Sequence, residues 1–450
     1  MHRRRLHGDL PTASSQRYKE VDNIMENTYR ILAHGHTISN DTWQTGLNNN
    51  DLIIGPSGAG KTRGYVKPNI LQCSGSMVIT DTKGALCSDV GTVLEQEGYK
   101  VMEINLADCA LSPYGYNPLA YIRQDRDGHY LEQDILTLAA CLMPVESRHD
   151  PYWELTARIY LESAISYVLE ALPEEERHLG SVVRLISEMG RNGKYKKLMD
   201  ELEVVDPDSF ALSRYRLYQS VNDAERTAAC IFSFLASKLA PLSFGGAKQI
   251  FTNPKRINIK ELGRKKTAVF LNISDTDSSM YRLANLFYTQ ALHTLCGLAD
   301  KSPGHRLKVP VRFYLDDFAS NVVIPDFDRI ISVIRSREIS VSVIIQSLSQ
   351  LESLYGQARA MTILNNCDNL LCLGAGRDLE TARYISYQVN KPVSAILNTP
   401  LDNAWLLTRG GKAEQVAKFD LRQHSFYGRL PEAQAQKKDA GKEWEPEAMA

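Results

Sequence analysis

Asn48-Asn-Asn-Asp-Leu-Ile-Ile-Gly-Pro-Ser-Gly-Ala-Gly-Lys-Thr62 is the stretch whose reading decides the fold. Its apolar triplet, Leu52-Ile-Ile54, reads as a short buried strand, and Gly55-x-x-x-x-Gly60-Lys61-Thr62 follows at the spacing of a phosphate-binding P-loop. Glycines let backbone N–H groups converge on phosphate oxygens without Cβ clashes. The helix expected to follow adds the partial positive charge of its N-terminus. Lys61 supplies a cation for the β- and γ-phosphates, and the Thr62 hydroxyl is the expected Mg²⁺ ligand. The loop Gly55, Pro56, Ser57, Gly58, Ala59, Gly60, Lys61 and Thr62, with Arg63 beyond it, is therefore the expected site for ATP.

Working outward, strand-like and helical runs alternate in two blocks. Met77-Val-Ile-Thr80 is the next strand, a helix is expected from Ala85 to Glu97, and Lys100-Val-Met-Glu-Ile104 is a strand again. That spacing predicts a parallel sheet with crossover helices. From Gln124 to Gln249 strand signals are absent. Leu131–Leu142, Glu154–Leu172, Val182–Met189 and Asp223–Leu239 read as amphipathic helices. The α/β pattern then resumes with strands at Thr267–Ile273, Val311–Leu315, Ser340–Ile345 and Asn369–Leu373, and a long helix at Tyr281–Leu298. The expected division is an N-terminal arm at 1–46, a nucleotide-binding domain in two parts at 47–123 and 250–430, an all-α insertion at 124–249, and a disordered tail at 431–450.

The second block supplies the remaining candidates. Val311-Arg-Phe-Tyr-Leu-Asp316-Asp317 places two carboxylates at a strand's C-terminal end, where α/β sheets bind ligands. Asp316 would hold the Mg²⁺ and its water; Asp317 would orient or deprotonate the attacking water, or cap a helix starting at Phe318. Gln346 ends the next strand, the position that senses the γ-phosphate in ring-type P-loop ATPases. Arg335 and Arg337 lie just before that strand and are candidate arginine fingers toward a neighbouring subunit. Two basic clusters, Lys194/Lys196/Lys197 and Arg264/Lys265/Lys266, read as solvated surface or as a DNA-channel lining.

Composition narrows the class. The 450 residues are 43% hydrophobic and 23% charged with net charge −1, so there is no bulk signature of a nucleic-acid binder, although a channel can be locally basic. The eight cysteines are scattered without a CxxC, which argues against structural zinc and for free thiols. The start, Met-His-Arg-Arg-Arg, has no apolar run behind it, and no stretch of about 18 apolar residues predicts a membrane span.

Taken together these motifs resemble the type IV secretion coupling proteins, the TraG/TraD-type ATPases of conjugative DNA transfer. The resemblance runs from Leu47 to Arg429. It is carried by Asn48–Thr62, Val78-Ile-Thr-Asp-Thr-Lys-Gly84, Tyr116-Asn-Pro-Leu-Ala120, Asp150-Pro-Tyr-Trp153, Leu315-Asp-Asp-Phe-Ala319, Ile324-Pro-Asp-Phe327, Ile334-Arg-Ser-Arg337, Ile345-Gln-Ser347 and Asn366-Cys367. It implies a RecA-like nucleotide-binding domain with a mainly parallel central sheet and an inserted all-α domain. It also implies a homo-hexameric ring at the cytoplasmic face of the bacterial inner membrane, joined to the type IV secretion channel. ATP with Mg²⁺ would drive movement of single-stranded DNA with its relaxase. Lys61, Thr62, Asp316 and Gln346 would take the family's catalytic and sensing roles. The chain departs from the pattern in its lack of an expected membrane anchor and in Thr82, where the family often has Pro. It also carries Asp317 where the family usually has Glu; the shorter side chain withdraws the carboxylate by roughly 1.5 Å. That last departure keeps open an ATP-gated substrate receptor with little hydrolysis; a coupling ATPase for protein effectors alone is the other alternative.

Overall fold

The computed structural model describes residues 28–146, 149–189, 194–220, 225–318, 323–442. The basic start of the chain and its last eight residues, both singled out in the sequence, lie outside the described residues, as do 319–322 after Phe318.

A nine-stranded sheet runs in the order β11-β10-β9-β3-β8-β7-β4-β6-β5. Its parallel body consists of β3 (Asp51–Ile54), β4 (Ser76–Asp81), β5 (Lys100–Asn105), β6 (Thr267–Asn272), β7 (Val311–Leu315), β8 (Ile339–Ile345) and β9 (Asn369–Cys372). These strands are almost continuous apolar runs because helices cover both faces; Leu52, Ile53 and Ile54 are all at most 1% exposed. Burying each such side chain contributes about 1.5–3 kcal/mol. Two antiparallel strands at one edge, β10 (Asn403–Thr408) and β11 (Glu414–Ala417), are additions that the sequence did not predict. The same is true of the hairpin β1–β2 (Tyr29–Ala33 and His36–Ser39).

Strand order matters for the site. The P-loop strand β3 and the carboxylate strand β7 are not neighbours; β8 lies between them. Ile54 is in register with Ile345, and Leu315 with Val343, so the three strand ends finish at one edge.

On one face, the P-loop leads into a helical segment at Thr62–Val66, wound as a π-helix, that continues as Lys67–Leu71. Beside it packs Leu86–Gln96, whose buried Leu86, Val90, Val93 and Leu94 follow helical spacing. On the other face lies the 20-residue helix Tyr281–Asp300.

Between β5 and β6, the regular elements among the described residues from Glu132 to Thr252 are all helical. The central one, Tyr152–Ala171, packs against Phe210–Ser220, Glu225–Leu239 and Glu132–Leu142, around a cluster of Tyr160, Tyr195 and Tyr218 rings. Lys194–Val205, Phe210–Ser220 and Gly245–Thr252 are helices that the periodicity did not single out.

Among the described residues no single helix is long and apolar enough to cross a membrane. One bent pair, Thr227–Ser243 and Gly245–Thr252, reaches the length jointly at 72°. Its Ile231, Leu235, Leu239, Ile250 and Phe251 are buried in the helical core, which accounts for their apolarity. The tail also departs from the expectation of disorder: Pro431–Lys442 is helical, with Ala433 buried and Glu432 paired to Arg63.

Candidate nucleotide site

The loop Gly55–Thr62 turns at the C-terminal edge of β3, anchored by the Gly55 N–H donating to the Ile345 carbonyl at 3.1 Å. Gly58 and Gly60 have φ of +77° and +90°, which glycine adopts without Cβ strain. Gly55 is favoured for a different reason: a Cβ there would meet the Ala59 and Leu373 Cβ atoms at 3.0 and 3.1 Å, so both neighbours would have to give way. Ser57, Gly58 and Gly60 face solvent, so the loop presents backbone outward.

Lys61 is 8% exposed and folds back over this loop. Its ammonium donates to the Gly55 and Pro56 carbonyls at 2.9 and 3.3 Å and lies 3.8 Å from the Asp317 carboxylate. The Thr62 hydroxyl donates to the Asp316 carboxylate at 3.0 Å, joining residues 254 positions apart. Gln346 donates its side-chain amide to the Asp317 carboxylate at 3.3 Å. Lys61, Thr62, Asp316, Asp317 and Gln346 therefore form one connected constellation at the tips of β3, β7 and β8.

The two carboxylates differ in setting. Asp316 is buried, and burial beside the Asp317 carboxylate pushes its carboxyl up to about 6; Thr62, Lys61 and the Asp317 N–H pull the other way. Asp317 is half-buried and holds a left-handed φ of +49°, which Asp tolerates better than most residues. That turn brings its carboxylate toward Lys61. A buried carboxylate next to a hydroxyl, with a second carboxylate and an ammonium within a few ångströms, is a donor set for a hard cation and its waters. The residues present thus fit a Mg²⁺ ion held by Thr62 and Asp316.

Arg335 and Arg337 are not brought to this constellation. They form a short turn before β8, at the opposite end of that strand from Gln346. Arg335 donates to the Thr42 carbonyl at 3.3 Å, and Arg337 pairs with Asp300 at 2.8 Å. Arg63, exposed after the loop, is held by Glu432 at 2.7 Å. Lys194, Lys196 and Lys197 sit exposed on a helix of the middle segment. Arg264, Lys265 and Lys266 precede β6, at the sheet edge away from the P-loop.

Three contributors escaped the sequence. Lys418, just after β11, donates to the Ala59 carbonyl at 2.9 Å and so braces the phosphate loop from outside; burial lowers its affinity for a proton. The loop after β9 also touches it, since a Cβ on Gly376 would meet Pro56 at 3.3 Å. Deeper, Asp51 at the base of β3 is fully buried among Arg30, Arg312, Tyr65 and Asn369. Its contact with Tyr65, at 2.6 Å, ties the start of the P-loop strand to the helix that follows the loop.

With this geometry in view, the likenesses to known proteins are specific. The family described as type IV secretory system conjugative DNA transfer matches residues 6–391. The protein VirD4 of Rhizobium rhizogenes is 24% identical over 390 residues, covering 84% of this chain and 54% of that protein. VirD4 of Agrobacterium fabrum is 25% identical over 348 residues, 74% of this chain and 48% of that one. The chain spans about half the length of these relatives. Among solved structures, the unbound bacterial conjugative coupling protein TrwBdeltaN70 superposes with a TM-score of 0.64 at 17% identity, over 90% of this chain and 92% of that one. The plasmid coupling protein TrwB in complex with ADP and Mg²⁺ gives 0.63 at 17% identity, with the same coverage. The shared fold is the RecA-like P-loop domain.

Proposed function

The chain belongs to the type IV secretory conjugative DNA-transfer family, and from that premise we propose that it is an ATP-driven coupling protein that moves single-stranded DNA with its relaxase toward a secretion channel. The observation that carries the ATPase part is the joining of Thr62 to Asp316, with Lys61, Asp317 and Gln346 around them, at one edge of the sheet. A related protein of this fold has been solved with ADP and Mg²⁺, which supports ATP and Mg²⁺ as this chain's ligands.

The roles follow from the geometry. Backbone N–H groups of Gly58–Lys61 would wrap the β-phosphate, and Lys61 would exchange its two loop carbonyls for phosphate oxygens. Mg²⁺, when bound, supplies charge neutralisation between the β- and γ-phosphates. Asp317 would take a proton from, or orient, the attacking water. Gln346, already touching Asp317, would report the state of the γ-phosphate to β8. Arg335 and Arg337 sit too far along β8 to serve their own chain's nucleotide, so a finger role places them in a neighbour's site within a homo-hexameric ring. Membrane association at the cytoplasmic face of the inner membrane belongs to the same reading.

One observation favours a second reading. Asp317 is shorter than the usual Glu and is engaged by both Lys61 and Gln346, as in a nucleotide-gated receptor that hydrolyses slowly. Turnover measured with and without single-stranded DNA, in the wild type, Lys61→Ala and Asp317→Glu, separates the two. DNA-stimulated turnover lost in Lys61→Ala supports the motor. Tight ATP binding with negligible turnover, restored by Asp317→Glu, rejects the motor for the receptor. Turnover indifferent to DNA, with binding of a secreted protein, supports an effector-only ATPase.

A further inference from the structure

A groove of about 1740 Å³ opens beside the helix Tyr281–Asp300, on the side of the sheet away from the P-loop edge. It is walled by Glu132–Leu142, by the segment around Ile259–Leu262 and by the turn after Asp300. Its volume exceeds the roughly 300–1,000 Å³ of small-molecule pockets, so it suits a segment of a macromolecule.

Its charge is one-sided. The carboxylates lining it, Asp134 and Asp300, are already paired with Arg123 and Arg337. Lys260, Arg264, Lys301 and Lys308 also line it, and no side-chain hydrogen bond or ion pair holds them among the described residues. The groove therefore presents four uncompensated cations.

Its floor carries a second signal. Gly297 lies inside a 20-residue helix, where glycine weakens the helix relative to any ordinary residue. Nothing among the described residues explains it: a Cβ there would meet no atom within 4 Å, and φ is not in the left-handed region. The missing side chain leaves the helix backbone open toward the groove for close approach from outside. Single-stranded nucleic acid would need exposed rings on which to stack. Of the rings that line the groove, Tyr121 is committed instead: its hydroxyl donates to the Ile257 carbonyl at 2.6 Å and its ring packs 5.9 Å from Tyr116. The other, His293, is exposed but is a single ring, not a platform for successive bases.

We propose that this groove docks an acidic amphipathic helix of a partner protein, its apolar ridge crossing at Gly297 and its carboxylates meeting Lys260, Arg264, Lys301 and Lys308. The mode is a helix in a groove, with charge complementarity setting orientation. The proposal does not rest on the nucleotide site.

The test is fluorescence anisotropy with a labelled Ala-based helical peptide of about 18 residues, Leu on one face and Glu on the other. The expected result is saturable binding that weakens with salt and is absent when Lys replaces Glu. Gly297→Leu should weaken it by about tenfold or more at an unchanged or higher melting temperature, since Leu favours the helix and fills open space. Lys301→Glu/Lys308→Glu, surface changes that leave the floor intact, should weaken it too. No saturable binding up to about 1 mM, or binding untouched by both variants, overturns the proposal. So does a labelled oligo-dT strand that binds in preference to the peptide and is lost in the same variants, which assigns the groove to nucleic acid.

Discussion

Replacing Asp316 with Asn should stabilise the nucleotide-free protein while abolishing its response to Mg²⁺. Burial beside Asp317 raises the Asp316 carboxyl from 3.8 to about 6. At about 1.36 kcal/mol per unit, its ionised form costs the fold about 3 kcal/mol near pH 7.5. A raised carboxyl contributes stability that is fully present below its ordinary value and is lost as pH rises through the folded value. Wild-type protein should therefore lose this contribution between about pH 4 and pH 6–7, and Asp316→Asn should not. The gain from the substitution is about 3 kcal/mol at pH 7.5 and about 1 kcal/mol at pH 4.5, because protonation already relieves the wild type there. Asn keeps an acceptor for Thr62, so little is lost in return. For a chain of this length 1 kcal/mol corresponds to about 1 °C in melting temperature. Calorimetry in EDTA should then show the variant melting about 3 °C higher at pH 7.5, with the gap narrowing to about 1 °C at pH 4.5. In the presence of ADP, added Mg²⁺ should raise the melting temperature of the wild type further and leave that of the variant unchanged. A variant that melts lower than wild type at pH 7.5, or a gap that does not change with pH, refutes the reasoning.

Other outcomes follow from the same geometry. Asp51→Asn leaves the Arg30 and Arg312 guanidiniums without their shared carboxylate; it should destabilise by about 3–5 kcal/mol, read by urea denaturation. Lys418→Ala removes the donor to the Ala59 carbonyl and should weaken nucleotide affinity several-fold, by about 1 kcal/mol, in a titration with ADP. If Arg335 completes a neighbour's site, Lys61→Ala and Arg335→Ala proteins, each inactive alone, should regain partial turnover when mixed; no recovery at any ratio would remove Arg335 from that role.

The phosphate loop was legible because its chemistry is local. Gly55, Gly58, Gly60, Lys61 and Thr62 stand in one turn, and spacing alone announces them. Asp316 and Gln346 were legible as polar residues ending apolar strands. That Asp316 reaches Thr62 and Gln346 reaches Asp317 depends on β8 entering between β3 and β7, a pairing that no short window encodes; only the family resemblance implied a common site. Lys418 was invisible for the same reason, acting on a residue 359 positions away. Arg30 lies in a strand the sequence did not predict, and the Asp51 carboxylate, with the Asn40 and Asn49 side-chain oxygens, makes a buried guanidinium tolerable. The tail from Pro431 reads as disordered from its composition. Its described part, Pro431–Lys442, is helical because Leu430 and Ala433 find an apolar seat and Glu432 finds Arg63.

The most direct test of the central claim, that a Mg²⁺–nucleotide complex sits between the loop Gly55–Thr62 and Asp316, is calorimetric titration of ADP in Mg²⁺ and in EDTA. Wild type should bind more tightly with Mg²⁺ by about tenfold or more, and Thr62→Ala should erase that difference while keeping the EDTA affinity. Equal affinity in Mg²⁺ and EDTA for the wild type, or a Mg²⁺ effect that survives Thr62→Ala unchanged, would contradict it.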